Sequence, residues 1–405
     1  MNKVLLLTIG MFALGFDAYV VAGLLPDIGA TFHKSDSQAG QAVSAFTLCY
    51  ALAAPIFATL LAGKSVRKSL IFALAVFSVG NAASALAPNF SLLLIARAVA
   101  GIGAGLFSPL ASVAAASLVS AQKRGRALGM ILGGMSTGTV VGVPIGLFAA
   151  EKIGWQGTLW LITVIGLGAM IGILLFFPNF LAAAPPSLRQ RAAMLTDKKV
   201  LAIVGITFLA SIASLGLYTY ISSALYEIGR IANTAPYLWA WGIGGVAGSF
   251  TIGFLIDRTV HPARLMTVLL SILALAMFGI PFALNIPALG FLPFFLWGAA
   301  AWASLAPQQH ALLHAQRDHA EAVVALNSSA NYLGSAVGSF AGGVALFAGF
   351  QPSFLPFAAG SVILLAVLGQ LRILASARAT AASLLLCTDK PSIFMDAECR
   401  ESGLL

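Results

Sequence analysis

Long apolar stretches separated by short polar breaks run through this chain from end to end. A helix needs about 20 apolar residues to cross the hydrocarbon core of a bilayer. Reading for runs of that length predicts twelve spans, near 4–25, 40–62, 69–88, 90–116, 127–149, 155–178, 200–223, 236–256, 263–284, 288–312, 327–349 and 353–374. Most breaks are short, so successive spans pack antiparallel. The exception is 179–199, which carries Pro185, Pro186, Arg189, Arg191, Asp197, Lys198 and Lys199. It divides the spans six and six: an N-terminal bundle over 1–178, a central loop over 179–199 and a C-terminal bundle over 200–375. Beyond 376 the chain turns polar, with Asp389, Asp396, Glu398 and Glu401, and residues 376–405 read as a disordered tail. The pattern predicts an all-α membrane protein of twelve transmembrane helices in two six-helix bundles.

Composition agrees, with 60% hydrophobic residues, 9% charged and a mean hydropathy of +0.96. The net charge of +9 changes meaning once the basic residues are placed. With the N-terminus in the cytoplasm, all of the 22 Lys and Arg except Lys34, Arg97, Lys152 and Arg230 fall on the inner side. That bias fixes the orientation and puts both termini in the cytoplasm. The basic loops meet anionic lipid headgroups, so the charge argues for membrane lipid as a partner and against nucleic acid. Cys49 lies in a span and Cys387 and Cys399 in the tail, which excludes a disulfide framework and a zinc spacing. The first span runs into Leu25-Pro26-Asp27 with no A-x-A site and reads as retained.

Two ionisable side chains lie well inside the N-terminal spans, Asp17 and Arg97. Such groups are expensive in a bilayer unless they face a cavity or a partner. Both sit about 10–12 Å below the outer surface at 1.5 Å rise per residue, equal depths at which a carboxylate–guanidinium pair would relieve both charges if the two helices face one cavity. Span five carries Gly134, Gly138, Gly142 and Gly146 at four-residue spacing with Pro144 among them, which bares one face for another helix. Gly134-Met135-Ser136-Thr137-Gly138 also matches the hydrolase elbow, but its serine is mid-helix and no histidine lies at its depth. The Gly101-x-Gly103-x-Gly105 run lies inside an apolar helix with no preceding strand, so it is no phosphate loop, and there is no Walker sequence. Enzyme chemistry, cofactors and metals are therefore not expected. Tyr19, Tyr50, Tyr218, Tyr220, Trp297 and Trp302 could line a cavity for an amphipathic solute, with Gln308, Gln309 and His310 as polar groups at the inner end of span ten.

Several stretches resemble the major facilitator superfamily. The loop after span two keeps Arg67-Lys68 of the G-x-L-a-D-R-x-G-R-R signature, though Gly63 stands where the acid is expected. The loop after span eight keeps Gly253, Leu255, Asp257 and Arg258. Leu94 through Gly105 resembles the family's span-four element around Arg97. Gly138-x-x-x-Gly142-Val143-Pro144-Ile145-Gly146 resembles the antiporter signature of exporters. Asp17 followed by Leu24-Leu25-Pro26-Asp27, Gly80-Asn81, Lys123-Arg124-Gly125-Arg126, Gly154-Trp155 and Asn327 through Gly334 resemble the twelve-span drug:proton antiporters. The likeness is to the branch of arabinose, purine-nucleoside and chloramphenicol exporters, and it covers most of 1–375.

This resemblance implies a secondary transporter in the inner membrane of a bacterium, working as a monomer. Spans one, four, seven and ten would surround the cavity. The two halves would rock to export a small organic solute or drug in exchange for protons. Asp17 would accept the proton and Arg97 would be its switchable partner. Burial favours a neutral carboxyl and a neighbouring Arg an ionised one, so a pair that forms and parts loads and releases a proton. A facilitator or importer of a sugar or nucleoside-like solute on the same fold is the alternative. A non-transporting membrane sensor or enzyme ranks third.

Overall fold

The computed structural model of the chain describes residues 2–60, 64–120, 123–181, 196–258, 262–286, 289–316 and 320–388. In order these form α1 (Asn2–Gly23), α2 (Leu25–Phe32), α3 (Asp36–Ala39), α4 (Gln41–Leu60), α5 (Val66–Ala85), α6 (Phe90–Ser117) and α7 (Arg124–Thr137). A π-helical turn, Gly138–Gly142, joins α7 to α8 (Val143–Phe176). Then follow α9 (Lys198–Thr219), α10 (Ile221–Gly229), α11 (Ala235–Arg258), α12 (Pro262–Ala283), α13 (Leu292–Ala303), α14 (Leu305–Ala315), α15 (Ala320–Phe347) and α16 (Leu355–Thr388). Among the described residues the extended structure is a single bridge, Ser65 with Leu181.

Seven described stretches are long and apolar enough to cross a membrane. One of them, Arg126–Phe176, turns at Gly154, whose φ of 73° is the left-handed backbone that glycine adopts without a Cβ clash. It therefore holds two of the expected spans. Buried side chains of the helices form one long core from Val4 to Ala366, while large apolar residues such as Phe250, Leu275 and Phe347 remain exposed on the flanks. That inversion suits a lipid solvent, in which apolar flanks lose nothing.

Helix ends are capped where polar residues punctuate the apolar runs. Ser65 and Asn89 accept backbone amides at the starts of α5 and α6, and Ser35 with Gln38 forms a reciprocal capping box at α3. Asp197 caps α9 by accepting from the Lys199 and Val200 amides. The Gln316 amide, donating at 2.6 Å, is the main reason the Asp197 carboxyl sits below the usual carboxylate range, with those two backbone bonds adding to it.

Several boundaries differ from the apolar runs. The first span stops at Gly23, and its last apolar residues belong to the short α2, because Leu24-Leu25-Pro26 starts a new helix with proline in its first turn. The seventh stops at Thr219 before α10, and the tenth splits at Ser304 into α13 and α14. Apolarity reports depth in the bilayer and is blind to such breaks. The last helix runs on to Thr388, past the boundary expected at 375, and 389–405 lie outside the described residues. So do 182–195 of the central loop, while Asn179 and Phe180 dock on the start of α5 through Ser65 and the Val66 amide.

Helices α1 to α8 pack chiefly on one another, as do α9 to α16. Between the two sets, α15 lies along α3 and α4, and α11 meets α8 and the π turn. The polar contacts across this seam gather at the end remote from the N-terminus. Ser37 donates to the Gly343 carbonyl at 2.5 Å, the Ser44 and Ser339 hydroxyls lie 2.6 Å apart, and Ser223 donates to Asp36 at 2.5 Å. That end of the molecule is shut.

Candidate functional site

Asp17 on α1 and Arg97 on α6 form a direct ion pair, Nη1 to Oδ1 at 2.7 Å, with both side chains essentially fully buried. Matched depth on two helices is thus matched position. A third residue, Asn81 on α5, closes the group. Its amide donates to Asp17 Oδ2 at 3.0 Å and to the Phe77 carbonyl at 3.2 Å, while its Oδ1 accepts from the same Arg97 Nη1 at 3.1 Å. Both carboxylate oxygens are therefore partnered. The guanidinium lies over the Phe46 ring, 4.5 Å from its centroid, which gives the cation a polarisable floor in place of water. Arg97 Nε has no partner. The arrangement holds one positive and one negative charge in a dry interior with little to spare on either.

Asn81 was read in the sequence only as part of the Gly80-Asn81 resemblance, not as a partner of the pair, and Phe46 went unread. An amide in a helix flank is common and carries no charge, so only the cost of burying it without partners marks it out. Nothing distinguishes Phe46 from the other phenylalanines.

The expected aromatic residues separate into two groups. Tyr19, Tyr218, Trp297 and Trp302 meet around Trp241 of α11, which was not anticipated. Ring centroids lie at 5.4 Å for Tyr19–Trp241, 4.7 Å for Tyr218–Trp241, 6.1 Å for Trp241–Trp297 and 5.9 Å for Trp241–Trp302. Tyr19 belongs to the N-terminal helices and the others to the C-terminal ones, so the cluster straddles the seam. Beside it Tyr50 of α4 stacks on Tyr332 of α15 at 3.8 Å, a second ring contact across the seam. Tyr220 lies elsewhere. It is wholly buried in the shut end, donating to the Ser339 carbonyl at 2.8 Å.

Of the polar residues expected at the inner end of the tenth span, Gln309 is exposed and Gln308 is buried. Gln308 joins Thr207, whose hydroxyl also meets Asn327 at 2.6 Å, and Ser211 donates to Asn331 at 2.7 Å one turn further along. His310 turns to His314, with ring nitrogens 3.2 Å apart. This polar ladder ties α9, α14 and α15 together and stands apart from the aromatic cluster.

The glycine face of α7 and the π turn lies on α1. A Cβ on Gly134 or Gly138 would strike the carbonyls of Thr8 and Phe12, and one on Gly142 or Gly146 would strike the Phe16 ring. Gly15 answers from α1, lying against the Met135 carbonyl. Pro144 is the second residue of α8, directly after the π turn. Arg67 donates to the Leu174 carbonyl, and the Lys68 amide is capped by Ser65. Asp257 and Arg258 end α11, and their side chains lie outside the described part of the structure. An apolar groove of about 550 Å³ between α1, α7 and α8 is lined by Thr8, Ile9, Gly133 and Ile165 and includes neither member of the ion pair.

Comparison with known proteins places this architecture. The sequence profile of the Major Facilitator Superfamily matches residues 7–339. The inner membrane transport protein YdhP of Escherichia coli is 31% identical over 366 residues, 90% of this chain and 94% of that protein. The chloramphenicol resistance protein of Streptomyces lividans is 31% identical over 270 residues, 65% of this chain and 68% of that one. The putative transporter AraJ of Escherichia coli is 26% identical over 375 residues, 90% and 95% of the two chains. The crystal structure of a D-xylose-proton symporter shares the fold, with a TM-score of 0.70 at 19% identity over 91% of this chain and 96% of that one. The chain belongs to the major facilitator superfamily and is a multi-pass membrane transporter of small molecules, not an enzyme.

Proposed function

We propose that the protein exports a small organic solute in exchange for protons, by alternating access between the helices of 1–178 and those of 200–375. The observation that carries this reading is the fully buried Asp17–Arg97 pair with Asn81 bridging it. A buried ion pair adds little stability, because desolvating both charges offsets most of the attraction. Its use lies in being switchable. A proton bound by Asp17 removes the carboxylate charge and leaves Arg97 with the Asn81 oxygen and the Phe46 face, so the α1–α6 contact loosens. Release of that proton re-forms the pair.

The basic residues favour an N-terminus in the cytoplasm, and with that orientation the shut end faces outward. The structure then corresponds to a state closed to the outside, and the name of YdhP supports a bacterial inner membrane. One proton charge moving down the membrane potential contributes about 2.3 kcal/mol per 100 mV. The Streptomyces relative supports a drug-like substrate. The symporter, at 19% identity, speaks to fold alone.

Purified protein in proteoliposomes with an imposed pH gradient tests this. Chloramphenicol should accumulate against its gradient, accumulation should collapse with a protonophore, and Asp17→Asn should lose it while inserting normally. Uphill transport by Asp17→Asn at wild-type rate would remove Asp17 from the coupling step. Downhill flux indifferent to the pH gradient would favour a facilitator.

A further inference from the structure

We infer that Trp241 is the hydrogen-bond donor that selects the transported solute, and that this solute is a planar, uncharged molecule carrying a hydrogen-bond acceptor rather than an organic cation. This deepens the transporter reading above and rests on it. Trp241 is 2% exposed and its Nε1–H has no acceptor. Indole nitrogen can only donate, and a buried Trp N–H nearly always finds a partner, since leaving it unmade costs roughly 1–3 kcal/mol. The neighbouring Trp297 shows the ordinary outcome, its Nε1 donating to Ser214 at 2.6 Å. The unmade bond of Trp241 therefore sits at the centre of the ring cluster, beside the seam.

Shape and charge follow from the same rings. Tyr19 touches Trp241 and Tyr218 from across the seam, and Tyr50 stacks on Tyr332 the same way. When the halves part, these cross-seam contacts separate, and a flat ring can replace each lost face. Such rings could also hold a cation. The cluster, however, offers no counter-charge. Asp17 lies two residues from Tyr19, about 200° around α1, and both its oxygens are taken by Arg97 and Asn81. Trp241 Nε1–H can only donate and so asks for an acceptor, while the Tyr50 hydroxyl beside it, also without a partner, can donate or accept.

Two fluorescent dyes of the same body separate the possibilities: N-methylacridone, uncharged with a carbonyl acceptor, and 10-methylacridinium, a permanent cation without one. Binding is read by polarisation on the purified protein in lipid nanodiscs, against empty nanodiscs. N-methylacridone should bind, and Trp241→Phe should weaken it about three- to tenfold, the worth of one neutral hydrogen bond. The melting temperature should hold. Trp160→Phe, on an outward-facing ring, should leave the affinity unchanged. The acridinium should bind no better than to empty nanodiscs. Equal or tighter acridinium binding, undiminished acridone affinity in Trp241→Phe, or no binding of either dye overturns the inference. Acridone should still bind to Asp17→Asn, so a failure of proton coupling and a failure of this selectivity leave different records.

Discussion

A lone acid and a lone arginine in apolar helices are legible because the bilayer makes each costly. The physical chemistry that exposes Asp17 and Arg97 in the sequence also requires them to meet, and they do at 2.7 Å. Removing one partner strands the other charge in a dry interior, a loss of about 3–5 kcal/mol that exceeds what the intact pair contributes. Arg97→Ala should therefore lower the detergent melting temperature sharply. Arg97→Lys should recover only part of it, because one guanidinium nitrogen serves both Asp17 and Asn81 while the plane covers Phe46. Adding Asp17→Asn to Arg97→Ala should restore stability without restoring proton coupling. Strictly additive melting shifts across the two single variants would contradict a direct interaction. Asn81 was legible only as part of a family-like stretch and Trp241 not at all, since neutral polar atoms in a span reveal their importance only through what does or does not partner them.

At the scale of elements, the glycines of the fifth span announce a close approach, and the structure supplies the partner, α1. The spacing alone does not explain how the face stays aligned. Four residues overshoot one α-helical turn by about 40°, so a four-residue repeat drifts around the helix. The π turn at Gly138–Gly142 uses more residues per turn and pulls the drift back, which keeps Gly142 and Gly146 on Phe16. A π turn leaves no signature in apolarity, and neither do the breaks at Gly23 and Ser304. The contact makes a sharp contrast among glycines of one helix. Gly138→Leu should abolish transport and reduce the folded yield, because its side chain must displace the Phe12 carbonyl. Gly129 has open space where a Cβ would go, so Gly129→Ala should be tolerated and should stabilise by about 0.5–1 kcal/mol through helix propensity. Size-exclusion profiles and melting curves of the two variants check this directly, and a Gly138→Leu variant as well folded and active as Gly129→Ala would show that the face packs on nothing.

Across the whole molecule, apolar runs announce an all-helical membrane protein, but not which ends of the two halves touch. That depends on a few small hydroxyls and glycines. Ser37, Ser44 and Asp36 on one side meet Gly343, Ser339 and Ser223 on the other, and Gly40 lets Tyr220 lie close enough to reach Ser339. Hydroxyl contacts suit a seam that must open, because each is worth only about 0.5–1.5 kcal/mol net and water can replace it. A core of interdigitated leucines would hold harder and release less readily. If the seam opens once per cycle, a covalent bond across it should stop transport. Ser44 and Ser339 present their oxygens to each other at 2.6 Å, so cysteines there are placed to bond. With Cys49, Cys387 and Cys399 replaced, Ser44→Cys/Ser339→Cys should cross-link under mild oxidation, lose transport, and regain it when reduced. The single variants should transport under both conditions. Wild-type flux through fully cross-linked protein would mean that the solute crosses without this end ever parting, and alternating access would have to be abandoned for this chain.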